Sequence, residues 1–159
     1  MEWDNNDFRV STDQNRIDLG LVHSELTRSY WSEGIPFHIV KKSIQNSLCF
    51  GLYQISTGRQ VGFARVVSDF STFAYLGDVF VVSEFKGLGL SKFMMNCIVT
   101  HPELQGLRRF CLGTRDAHGL YEKYEFEVIK EPRNWMEIKR PDIYKQKPIV
   151  SQSAKKLGS

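Results

Sequence analysis

Two glycines in G-x-G spacing, Gly87 and Gly89, follow a short apolar run that stops at Ser83, and a helix-forming stretch begins directly after them. Glycine removes the Cβ where a ligand or another chain must come close. A helix opening at such a turn presents amides with no internal partner. Those amides and the helix dipole favour an anion, usually a phosphate. Successive amides in the turn also form a concave anion nest, and Lys86 adds a cation at its rim. A tight strand-to-helix turn with no ligand would show the same pair of glycines, so the spacing alone leaves both readings open. Asp78 is the second residue with chemical potential. It sits in mid-strand, an expensive place for a carboxylate unless it is paired or lines a cleft. Strand alternation puts Asp78, Phe80 and Val82 on one face. There Asp78 could bind or deprotonate an amine, or serve as partner to an arginine or a backbone amide.

The turn matches neither common phosphate fingerprint. A P-loop requires G-x-x-x-x-G-K-[ST], a spacing absent from this chain. A dinucleotide fingerprint requires G-x-G-x-x-G, but Lys92 occupies the third glycine position and no acidic residue ends the following strand. Dinucleotide folds also open with the motif, whereas this turn follows a three-strand meander.

The elements that position these residues alternate in period. "DFRVS" reads as a strand. Asp18 caps a helix over "LGLVHSELTRSY", with Leu19, Val22, Leu26 and Tyr30 on one face, and "PFHIVKKSIQNS" is a second short helix opened by Pro36. "LCFGLYQIS", "QVGFARVVS" and "FAYLGDVFVV" are strands, the first two joined by a "TGR" turn. "GLSKFMMNCIVT" is a helix ended by His101-Pro102. "RFCLGT" is a buried strand, "AHGLYEKY" a short helix, and "FEVIK" and "WMEIKR" complete a mixed sheet of about seven strands, mostly antiparallel, flanked by helices. The strand–helix–strand unit from Phe73 to Thr114 is expected to be parallel. The domain is expected over residues 1–140, with a polar tail over 141–159 that leaves the core and is partly disordered.

The 159 residues, 42% apolar and 13% aromatic, describe one globular domain. A net charge of +3 gives no nucleic-acid footprint. Cys49, Cys97 and Cys111 form no C-x-x-C pair and read as buried thiols of a reducing, cytoplasmic compartment. No signal peptide or membrane span is expected. No metal-ligand spacing is present, and His23, His38 and His101 read as structural.

"VFVVSEFKGLGLSKFMM" resembles the acetyl-CoA signature of the GNAT superfamily of N-acetyltransferases, [QR]-x-x-G-x-[GA] after a strand, and the signature falls on Lys86, Gly87, Leu88, Gly89, Leu90 and Ser91. "AHGLYEKYEF" is similar to that family's A-x-x-L-Y-E-K-x-G-F block, and the element order agrees over Phe8 to Arg140. "SYWSEGIP", "SLCFGLY" and "TRDAHGLYEK" resemble a branch of small, mostly uncharacterised bacterial members. The chain departs from the pattern at Lys86, in place of Arg or Gln, at Ser91, in place of Gly or Ala, at Ser83, where proline is common, and at Glu125, in place of the glycine before Phe126.

The resemblance implies the GNAT-like acyl-CoA N-acyltransferase fold and acetyl transfer from acetyl-CoA to a primary amine of a small molecule or peptide, by direct attack in a ternary complex without a metal. A CoA-binding regulatory module without turnover is the alternative. The pantetheine arm would pair with amides near Phe80 and Val81, and the pyrophosphate would sit on the amides of Leu88 to Ser91. Tyr121 would be the general acid, its phenol being protonated at neutral pH. Asp78 and His118 are the candidate bases. Tyr30, Trp31 and Phe37 would form one wall of the acceptor site. The protein would be a monomer or homodimer.

Overall fold

The computed structural model describes residues 1–145, so most of the expected tail lies outside the described residues. Six strands form one sheet in chain order: β1 (Glu2–Asn5), β2 (Phe8–Ser11), β3 (Leu48–Gln54), β4 (Gln60–Ser68), β5 (Phe73–Val81) and β6 (Arg109–Leu112). Every neighbouring pair is antiparallel except β5 and β6, which are parallel, as expected for strands joined by a helical crossover.

Helices cover both faces. Helix α1 (Leu19–Arg28) starts where the Asp18 carboxylate accepts from the Leu21 amide at 2.9 Å, satisfying one of the orphan donors of the first turn. Helix α2 (Phe37–Gln45) follows Pro36. Val22, Leu26, Val40 and Ile44 bury their side chains against Cys49 and Phe63 on one face of the sheet. Helix α3 (Leu90–Val99) packs Met94, Met95 and Ile98 against Phe50, Leu52, Val66, Ala74 and Leu76 on the other. Helix α4 (His118–Tyr121) is a single turn.

The architecture is the mixed, mostly antiparallel one expected, with six strands in place of seven. Phe126–Lys130 and Trp135–Arg140 form no ladder. Side-chain contacts hold this segment instead. Phe126 meets the rings of Phe110 and Tyr121 at 5.4 and 6.1 Å, a 3-10 turn at Pro132–Asn134 breaks the run, and the Arg109 guanidinium stacks 4.5 Å from the Trp135 ring. Conversely, β1 is an unanticipated strand, paired with β2 in a hairpin whose turn residue Asn6 has φ +52°. Past residue 140, Tyr144 packs against the α1–α2 cluster and Lys145 lies 3.7 Å from Glu33.

Candidate active site

The parallel pairing of β5 and β6 stops at Leu76 opposite Leu112, while β5 runs on to Val81. From Gly77 onward the edge of β5 that faces β6 therefore has no strand beside it, and the two strands splay. At the end of this opening, a 3-10 turn (Ser83–Phe85) leads into the glycine turn. Gly87 and Gly89 have φ of +81° and +75°, in the left-handed region that side chains disfavour, and a Cβ on either would point into open space. Gly89 is the N-cap of α3 and supplies no side-chain cap. Among the described residues no backbone carbonyl accepts from the amides of Leu88 through Lys92. The turn thus offers a row of free donors at a helix N-terminus, beside an unpaired strand edge. That arrangement fits an extended ligand with a phosphate at one end and an amide-bearing arm at the other.

Asp78 is placed by a β-bulge. Arg65 pairs with Gly77 and Phe63 with Phe80, so Asp78 and Val79 together oppose Ala64. Asp78 takes φ +56° to accommodate the extra residue. Asp78 and Phe80 both reach the α1–α2 side, Phe80 against Phe63 at 6.1 Å between ring centroids, but Val82 does not share their face as strand alternation implied: β5 ends at Val81, and Val82, leading into the 3-10 turn, is buried in the α3 core. The Asp78 side chain is 10% exposed and forms an ion pair with the Nε of Arg65, itself 22% exposed. Its other oxygen accepts from the Trp31 indole N–H at 3.1 Å. Arg65 also donates to Ser47 Oγ at 3.2 Å. The arginine partner is one of the two possibilities the sequence left open for Asp78.

Trp31 and Tyr30 stand edge to face, 5.0 Å apart, in the loop after α1. The Arg115 backbone N–H donates to Tyr30 Oη at 3.2 Å, and its guanidinium lies 3.8 Å from the Tyr30 ring centroid. Sequence reasoning missed Arg65 and Arg115. Arg65 is three residues from Ser68 in a strand that otherwise reads as core, so an isolated cation there was its signal. Phe37 packs on His23, 5.4 Å between centroids, and no contact ties it to Trp31 or Asp78. Tyr121 is half-buried. Burial pushes its phenol above the ordinary tyrosine value, and Tyr30, Asp116 and Tyr75 push in the same direction. Among the described residues its hydroxyl has no hydrogen-bond partner. His118 is exposed at the start of α4. His23 and His101 are structural as expected: His23 Nε2 bonds the Ile35 carbonyl at 3.0 Å, and buried His101 packs on Trp3 and Phe50. No group of three metal-ligating side chains occurs among the described residues, and no described helix is long and apolar enough to cross a membrane.

A splayed pair of parallel strands, a glycine turn of free amides and a half-buried tyrosine define an acyl-CoA-dependent transferase. Residues 45–128 match the acetyltransferase (GNAT) domain, and the chain belongs to that family of acetyl-CoA-using acetyltransferases. A Gibberella zeae protein assigned to the acetyltransferases is 30% identical over 142 residues, covering 76% of this chain and 79% of that protein. The crystal structure of a GNAT-family protein from Xanthomonas campestris is 49% identical, with a TM-score of 0.84 over 87% of this chain and 97% of that one. A Clostridium acetobutylicum structure solved with acetyl-CoA shares the fold at 18% identity and a TM-score of 0.60, over 83% of this chain and 94% of that one.

Proposed function

We propose that this acetyltransferase moves an acetyl group from acetyl-CoA to a primary amine by direct attack, with Tyr121 as general acid and Asp78 as the residue that receives the amine. The observation that carries this reading is the glycine turn with its free amides lying at the end of the β5–β6 splay. The amides of Leu88, Gly89, Leu90 and Ser91 take the pyrophosphate, with Lys86 and the Ser91 hydroxyl beside them, and the open edge of β5 at Phe80 and Val81 binds the pantetheine arm. The Clostridium structure's acetyl-CoA supports this by analogy of fold.

Acetyl-CoA supplies an activated carbonyl. The acceptor nitrogen must be neutral to form the new C–N bond as the C–S bond breaks. Tyr121 gives its proton to the leaving sulfur, and its raised pKa keeps that proton in place through the neutral range. Backbone N–H groups on the open edge of β5 stabilise the oxygen that gains charge. Asp78, held by Arg65, presents one oxygen to the cleft, and an incoming amine takes the place of the Trp31 N–H on it. Such a fixed acceptor orients the amine lone pair. Tyr30 and Trp31 form the apolar wall, while Phe37, packed on His23, stands apart from it. His118, exposed beside Tyr121, relays the amine proton to solvent.

A panel of amines, amino acids and peptides read by free-thiol release tests this directly. Turnover with at least one primary amine is expected, and Tyr121→Phe lowers kcat by roughly a hundredfold with little change in the acetyl-CoA KM. Acetyl-CoA binding without turnover on any amine would favour a CoA-binding regulatory module.

A further inference from the structure

The proposed acceptor wall carries a charge at each end. At one end the Asp78 carboxylate accepts from the Trp31 indole N–H at 3.1 Å. Trp31 stands edge to face on Tyr30, 5.0 Å between ring centroids. At the other end the Arg115 guanidinium lies 3.8 Å from the Tyr30 ring centroid, and the Arg115 backbone N–H donates to Tyr30 Oη at 3.2 Å. The order along the wall is carboxylate, two aromatic rings, guanidinium. A guanidinium carbon this near a ring centroid rests on the ring through its flat face. Its N–H donors lie in the guanidinium plane and so point away from the ring, and the contact fixes the group before any ligand arrives. Among the described residues Arg115 has no ion-pair partner, and Asp116, next to it in the chain, is not one. The carboxylate in the loop that carries Trp31, Glu33, has Lys145 at 3.7 Å. Asp78 itself is paired with Arg65, which leaves Arg115 as the uncompensated charge of the wall.

Given the role proposed for Asp78, on which this reading rests, we propose that the acceptor is an amino acid whose primary amine and carboxylate are separated by an apolar chain. Asp78 receives the amine and the Arg115 guanidinium receives the carboxylate. A guanidinium holds a carboxylate by two parallel N–H bonds, a geometry that a plain alkylamine cannot use. The rings of Trp31 and Tyr30 stand between the two charges and cover the methylenes in the same place. Contacts of 3.1, 5.0 and 3.8 Å in series hold the charges within roughly 14 Å of each other, and charge-assisted bonds of about 2.8 Å at each end leave the acceptor up to roughly 8 Å. About six bonds between nitrogen and carboxyl carbon fill that span. 6-Aminohexanoate has this length, and so does lysine acting through its side-chain amine.

Free-thiol release with 6-aminohexanoate and with pentylamine, which is the same chain without its carboxylate, tests this. For the wild type, kcat/KM should be roughly tenfold or more higher with 6-aminohexanoate. In Arg115→Ala the ratio of the two should fall to about one; the residue is exposed, and circular dichroism checks that the fold persists. Arg115→Lys keeps the charge without the fork and should restore part of the ratio. A wild-type ratio of about one or below, or a high ratio that survives Arg115→Ala, would overturn the proposal and leave acetyl transfer to another amine standing. If no amine turns over, it is acetyl transfer that fails. Calorimetric titration of the same two compounds into the protein saturated with CoA then decides the carboxylate contact by the same ratio, in affinity.

Discussion

The two halves of the proposed active site are built from different material. The cofactor side is backbone: two left-handed glycines, a row of free amides and an open strand edge. The acceptor side, as proposed, is side chains from distant parts of the sequence: Trp31 and Tyr30 from the α1–α2 loop, Arg65 from β4, Asp78 from a bulge in β5 and Arg115 from the loop after β6. A backbone site tolerates varied side chains and leaves its trace in glycine spacing. A side-chain site can be refitted residue by residue without moving the fold, which is how one scaffold serves different acceptors.

Variants should separate the halves. The largest effect is expected on the cofactor side. Gly87→Val/Gly89→Val meets no clash, because both Cβ positions are open, but it pushes two residues out of the left-handed region at a cost of about 1–2 kcal/mol each. Titration with acetyl-CoA should show binding weakened at least roughly a hundredfold, while the isolated fold persists by circular dichroism. On the acceptor side, Asp78→Asn should raise the amine KM by about tenfold and leave the acetyl-CoA KM in place. It also leaves Arg65 half-buried without its counter-charge, so thermal unfolding should report a loss of about 1–3 kcal/mol. If Asp78→Asn instead weakened acetyl-CoA as strongly as the amine, the division between the halves would not hold.

The ground beneath the acceptor side has its own pH signature. Burial pushes the Cys49 thiol, beside Arg65 and Asp78, up to about 12, and the Cys97 thiol up to about 11. An unfolded thiol titrates near ~8.5. The folded values are raised, so the stability they carry is complete below ~8.5 and is lost as pH climbs toward 11–12. Melting temperatures should therefore be flat from neutral pH to ~8.5 and fall above it, and Cys49→Ala should flatten part of that fall. The smallest effect lies outside both halves. Glu125 occupies the position where the family has glycine, and it adopts φ +66°. Glu125→Gly should relieve about 1 kcal/mol of strain, partly offset by the entropy glycine adds to the unfolded chain, and so raise the melting temperature by a degree or two.

The contrast also governs what the sequence disclosed. The helices and the four central strands were legible because apolar residues recur at helical or alternating spacing, and Asp18 caps α1 as its position implies. The glycine turn was legible because left-handed backbone restricts residue choice. The bulge at Asp78 was not, since one extra residue in an apolar strand leaves no mark on composition, nor was the end of β5 at Val81, which takes Val82 out of the alternation and into the opposite core. Arg65 showed only as an isolated cation in a core strand and Arg115 not at all, because their contacts are with partners 13 and 85 positions away. The strand pattern of 126–140 is real, but a strand forms only beside another strand, and within one described chain that segment has none. The reverse holds for β1, where Asn6 and Asp7 between Trp3 and Phe8 were an unread hairpin turn.

The central claim is that the free amides of the glycine turn hold the pyrophosphate of acetyl-CoA. Calorimetric titration of the wild-type protein with acetyl-CoA, and in parallel with S-acetylpantetheine, which has the thioester arm but no diphosphate, tests it most directly. The account predicts micromolar binding of acetyl-CoA and binding at least roughly a hundredfold weaker for S-acetylpantetheine. Equal affinity for the two, or no binding of acetyl-CoA, would contradict it.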